Sequence, residues 1–128
     1  MEKYQQGDVV MFKVDAIYFE GHTRKGKEYR AGYQGGKDEH AIVAFGEVTG
    51  HKHQINMKDM AKEAGVTLSM GYNQQAGVDV PEGFVVSSAP VTITHEEHDP
   101  VKLPPGYYMV RIVREHDHIA GRTQYVAD

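Results

Sequence analysis

His95-Glu96-Glu97-His98-Asp99-Pro100-Val101-Lys102-Leu103-Pro104-Pro105-Gly106-Tyr107-Tyr108-Met109-Val110 packs ionisable groups, a rigid turn and a strand into consecutive residues. Val91-Thr92-Ile93-Thr94 runs into it with strict alternation, which predicts a half-buried strand. Pro100 and the Pro104-Pro105-Gly106 turn stop and redirect the backbone, because proline fixes φ and removes a donor while glycine supplies the turn. From Tyr107 to Val113 the apolar and polar positions alternate again. Strand, turn and strand follow one another with no space for a helix, so this region predicts an antiparallel β fold.

The same grammar extends outward. Gln6-Gly7-Asp8 reads as a turn before Val9–Val14, whose Val10, Phe12 and Val14 share a face opposite Lys13. Ala16 to Phe19 reads as its continuation or as a second short strand. Ala41–Phe45 and Val66–Met70 read as strands, Gly71 to Gly77 as a loop, and Val78–Val80 as a strand closed by Pro81-Glu82-Gly83. Asp117 to Gly121 turns the chain toward a last strand, Thr123 to Val126. One helix is expected: Asn56 as N-cap, Met57, Met60, Ala61 and Ala64 at helical spacing, and Gly65 as the stop. Many short strands, frequent Gly and Pro, and one short helix predict a mainly β, antiparallel jelly-roll or cupin-like sandwich or barrel.

With 128 residues the chain has the size of a single domain, 1–128. Its one irregular tract is a long loop at about 20–40, where Gly21, Gly26, Gly32, Gly35 and Gly36 alternate with basic and aromatic residues. Apolar residues form 40% and charged residues 25%, enough for a folded core. A net charge of −4 gives no overall case for nucleic acid or anionic membrane as a partner. Without cysteine, disulfides, thiolate metal sites and a cysteine nucleophile are excluded. No apolar run has the length of a signal peptide or a membrane span, which makes the cytoplasm the expected place of synthesis.

The chemically pointed residues are histidines in two separated segments. In an extended strand residues two apart share a face, so His51 and His53 project together. With His95 and His98 they would make a site for one divalent metal ion, Zn, Fe(II), Mn or Ni, with Glu47 or Glu96 as acid–base partner. The plainer reading is that they hydrogen-bond carboxylates and carbonyls at a crowded turn. His95-Glu96-Glu97-His98 is one residue short of the zincin spacing, and Pro100 forbids a long helix. Neither a phosphate-binding glycine loop nor a nucleophile elbow occurs, and Ser69, Ser87 and Ser88 have no neighbouring base in sequence. No catalytic residue is assigned.

Gln6-Gly7-Asp8-Val9, Gly46-Glu47-Val48-Thr49-Gly50-His51-Lys52-His53, His95-Glu96-Glu97-His98-Asp99-Pro100 and Leu103-Pro104-Pro105-Gly106-Tyr107-Tyr108-Met109-Val110 together resemble a family of small, mostly uncharacterised proteins of tailed phages and bacteria. Genes of that kind tend to lie among head-morphogenesis genes. The resemblance implies a virion structural protein, a capsid cement or decoration protein that bridges subunits of the major capsid protein as a homo-oligomer on the virion capsid, with no cofactor and no enzymatic activity. On that reading Arg24, Lys25, Lys27, Tyr29, Arg30 and Tyr33 are the candidate capsid contacts. The middle block also resembles part of the first cupin motif, with Gly46 ahead of His51-x-His53, one residue short. The competing reading is therefore a cupin-like metal-binding protein or metalloenzyme using His51, His53 and His95, with His98 as a further candidate ligand.

Overall fold

The computed structural model describes residues 2–32, 40–45, 51–57, 60 and 65–113. Its ten strands are β1 (Lys3–Gln6), β2 (Val9–Val14), β3 (Arg24–Arg30), β4 (His40–Phe45), β5 (Lys52–Asn56), β6 (Thr67–Gln75), β7 (Val78–Ser87), β8 (Val91–Thr94), β9 (Val101–Leu103) and β10 (Gly106–Ile112). A single α-helix among the described residues, α1, spans Ala16–His22. Six strands form one sheet in the order β1-β2-β10-β7-β6-β3, and four form a second in the order β4-β5-β8-β9. Every pairing is antiparallel. The mainly β sandwich expected from the alternating pattern is what forms, and it is open rather than closed into a barrel.

The core lies between the sheets. Val9, Met11, Leu68, Met70, Phe84, Val86 and Tyr108 come from the larger sheet, and Ala41, Val43, Ile55, Val91, Ile93 and Leu103 from the smaller one. Each is the inward member of an alternating pair, and burying a side chain of the larger kind contributes roughly 1.5–3 kcal/mol. Tyr108 is buried among them because its hydroxyl donates to the Pro104 carbonyl at 2.6 Å, which satisfies the one polar atom it carries inward. Its ring stacks on Phe84 at 5.4 Å.

Several local expectations are corrected. Ala16 to Phe19 is helical, not a strand: the Asp15 side chain accepts from Tyr18 N at 2.8 Å as an N-cap, and Thr23 closes the other end on the Phe19 carbonyl. Phe19 is the buried residue of that helix. It covers the register pair Gly71 and Gly83, where a Cβ on Gly71 would stand 2.7 Å from its ring. The loop expected at about 20–40 contains β3, an edge strand paired to β6 across a bulge. Its side chains are exposed except at Gly26 and Tyr29, which are partly covered. An edge strand with solvent on both faces leaves no apolar period to read. Gly71 to Gly77 is not a loop either. β6 and β7 make one long hairpin turning at Ala76-Gly77, and the register shift beside Tyr72 lets Pro81 sit inside β7. Of the helix expected over 56–65, Asn56 ends β5 and Met57 accepts from Met60 N at 3.3 Å; residues 58–59 and 61–64 lie outside the described residues, as do the turn and strand expected over 117–126.

Candidate functional site

The inward rows of the small sheet end in histidine. β5 and β8 pair through Gln54↔Thr94 and Ile55↔Ile93, so one further step along the ladder sets His53 beside His95. Ile55 and Ile93 face the core, and residues two apart share a face, so His53 and His95 continue that apolar row to the end of the sandwich. The ring centroids of His53 and His95 are 4.3 Å apart. His51, just ahead of β5, stands 5.6 Å from His95, and His98 in the turn before β9 stands 4.7 Å from it. All four imidazoles expected to gather do so, with His95 in contact with the other three.

A third element meets them. The β1–β2 hairpin turns on Gly7-Asp8, with Gly7 at φ 58°, a left-handed value that favours glycine in a two-residue turn. A Cβ on Gly7 would overlap the His98 ring, so the missing side chain is also what lets His98 lie against the turn. Gln6, 2% exposed, reaches across to the small sheet: Nε2 donates to the Ile93 carbonyl at 3.0 Å and to the Asp99 carbonyl at 2.9 Å, while Oε1 lies 2.8 Å from His53 Nδ1. Asp8 Oδ1 is 3.7 Å from His53 Nε2. His53 is 1% exposed, and its Nε2 has no hydrogen-bond partner.

The rim is acidic. His51 Nδ1 lies 3.4 Å from Glu97 Oε1, and His51 Nε2 lies 3.9 Å from Glu96 Oε2. Glu97 N donates to His95 Nδ1 at 3.1 Å. An open hollow of about 350 Å³ lined by Lys52, Gln54, Thr94, His95 and Glu96 brings solvent to the outer side. Burial, with His95 and His98 adjacent, lowers the His53 pKa to about 4. His95 is lowered as well, by burial and then by His98 and His51, against the opposing pull of Glu97 and Glu96. His53 is therefore a neutral imidazole at neutral pH, the form that binds metals. In this arrangement no three of the described His, Asp and Glu groups converge at metal-holding geometry. Using His95 Nε2 as a ligand requires the other tautomer and release of its contact with Glu97.

A family model covers this whole arrangement. The chain belongs to DUF8820. That family, a domain of unknown function, matches residues 5–113, so the β1–β2 turn, the His51/His53 strand and the His95–Pro100 turn all fall within the family domain. No curated protein and no solved structure matches the chain.

Of the other expected site residues, Arg24, Lys25, Lys27, Tyr29 and Arg30 lie on β3, away from the histidines on the far edge of the larger sheet. Arg24 meets Asp79 at 3.5 Å, Arg30 meets Glu28 at 3.8 Å, and Lys27 lies over the Tyr29 ring at 5.4 Å. Tyr33 and Glu47 lie outside the described residues. Sequence reasoning missed Gln6 and Asp8 as members of the histidine group. The available signal was a chain-start turn of Gln-Gly-Asp, which is indistinguishable from any hairpin turn until the sheets are stacked.

Proposed function

We propose that this protein binds one divalent transition-metal ion through its histidine cluster, as a binding protein without a catalytic step. The observation that carries the reading is the His53 side chain: buried, held neutral, and with an unpartnered Nε2 facing a carboxylate at 3.7 Å. A buried polar atom without a partner is costly and therefore unusual in a native fold. Imidazole and carboxylate donors without thiolate suit Zn, Fe(II), Mn or Ni. His53 supplies the fixed donor, and His95 and His98, on an exposed turn, swing to join it. The unpartnered His53 nitrogen supports this reading, and a third ligand has to move into place to complete the site, since the open sandwich is not a cupin barrel and its described groups do not already converge.

The test is dialysis of chelator-stripped, untagged protein against Zn, Mn, Ni or Fe(II) under anaerobic conditions, with bound metal counted by plasma mass spectrometry. One equivalent per chain is expected in the natural protein, and none in a His53→Ala/His95→Ala variant that retains a cooperative melting transition. Full retention by that variant, or no binding by the natural protein, overturns the proposal.

A second reading, a capsid decoration protein bridging major capsid subunits, draws support from β3. In a chain of net charge −4, this exposed edge strand presents Arg24, Lys25, Lys27 and Arg30 within seven residues. Such a stripe suits an acidic protein surface, and it also blunts an edge against unwanted pairing. Co-sedimentation with phage capsids that is lost in Lys25→Glu/Lys27→Glu supports this reading; absence of the natural protein from the capsid pellet rejects it.

A further inference from the structure

We infer that the β1–β2 turn completes the metal site, Asp8 as its carboxylate ligand and Gln6 as the residue that fixes which nitrogen of His53 faces the ion. This rests on the metal-binding reading above and adds two residues to it. The argument begins with the Gln6 amide. Its two N–H bonds are both committed to carbonyl oxygens, of Ile93 at 3.0 Å and of Asp99 at 2.9 Å. Turning the amide over would set oxygen against two carbonyl oxygens, so the network settles its orientation. The atom that faces His53 Nδ1 at 2.8 Å is therefore the amide oxygen, which only accepts. Nδ1 carries the hydrogen, and in a neutral imidazole Nε2 is then a bare lone pair.

A second acceptor stands close to that nitrogen. Asp8 Oδ1 stands 3.7 Å away and, ionised, has no hydrogen to give. Two acceptors this close, one on the buried His53 ring and one on the partly exposed Asp8, repel unless a donor or a cation lies between them, and a metal cation satisfies both at once. Two donor atoms each about 2.1 Å from one tetrahedral ion stand roughly 3.4 Å apart, so the observed span is close to what an ion needs and too long for a hydrogen bond. The turn is held in place independently, since the Asp8 carbonyl accepts from Val113 N at 2.8 Å. A second interaction that fixes the tautomer of a ligating imidazole is a general feature of metal sites.

The experiment is ¹⁵N NMR of the histidine rings in metal-free natural protein at pH 7.5, followed by zinc titration of the natural protein, Asp8→Asn and Gln6→Ala. The expected result is a hydrogen on His53 Nδ1, a bare Nε2 whose resonance moves when zinc is added, and zinc affinity lowered at least tenfold by Asp8→Asn and about 10- to 100-fold by Gln6→Ala. Because Gln6→Ala strips partners from two carbonyls, its fold is checked by melting, and the tautomer in the natural protein stands as the independent readout. One equivalent of zinc bound with hydrogen on Nε2 beforehand, or with full affinity in Asp8→Asn, overturns this inference and leaves the metal reading intact. No zinc bound overturns this inference, and no binding of Zn, Mn, Ni or Fe(II) overturns the metal reading with it.

Discussion

Acidification should destabilise the metal-free protein through His53, by an amount that the burial of that ring sets. Its pKa in the fold is about 4 against 6.5 for an unperturbed imidazole. Above pH 6.5 both folded and unfolded chains hold it neutral, and it makes no difference to stability. Below 6.5 the unfolded chain takes up a proton that the folded chain refuses, so stability falls as pH falls, until the folded form also protonates near 4. A gap of this size corresponds to a total loss of roughly 3 kcal/mol, of which about 1.4 kcal/mol is gone one unit below 6.5. His95, also lowered, adds loss in the same direction. The assay is urea unfolding of chelator-treated protein at intervals between pH 7.5 and 4.5, for the natural chain and for His53→Gln, whose amide does not titrate. Carboxylates act on both proteins alike, so the difference between the two curves isolates His53. Parallel curves would refute the reasoning, because they would mean that the ring takes up its proton as readily in the fold as out of it.

Three substitutions probe the fold around the site. Gly83→Ala should cost about 3 kcal/mol in urea unfolding, since its Cβ would overlap the Tyr108 carbonyl oxygen and press on Phe19, and paired backbone cannot move aside; a cost below about 0.5 kcal/mol would contradict this packing. Tyr108→Phe should lower stability by about 1 kcal/mol through loss of the hydroxyl bond to Pro104, with no change in metal content. Gly7→Ala combines a strained φ of 58° with displacement of His98, so it should cost about 1–2 kcal/mol in urea unfolding and weaken zinc binding in a zinc titration.

The strands that bury one face were legible because their alternation survives in the sequence. Val91–Thr94 and the segment after Gly106 were placed close to their observed bounds for that reason, whereas Val9–Val14 was bounded correctly with the wrong row inward: Val9 and Met11 pack into the core, not the row of Val10, Phe12 and Val14. β3 was not legible, since an edge strand held by its ladder to β6 has no buried row to pattern it. The β6–β7 hairpin was broken into pieces by its glycines and Pro81, which mark a bulge and a window for Phe19 rather than chain ends. Ala16–Phe19 has the composition of a strand, and Asp15 capping plus one buried ring make it a helix.

In the site, period two placed His51 with His53, and the spacing of polar groups singled out His95 and His98. Their meeting depends on the register of β5 against β8, which no local pattern states. Gln6 and Asp8 depend on something further still, the stacking of one sheet on the other. Their contribution is long-range, with Gln6 bonded to residues 47 and 93 positions away.

The most direct test of the central claim is the anomalous scattering of crystals grown with zinc, measured on both sides of the zinc absorption edge. The account predicts one strong peak per chain between His53 Nε2 and the Asp8 carboxylate, with His95 or His98 turned toward it. Well-diffracting crystals with no peak there, or with zinc only on the outer carboxylates Glu96 and Glu97, would contradict it.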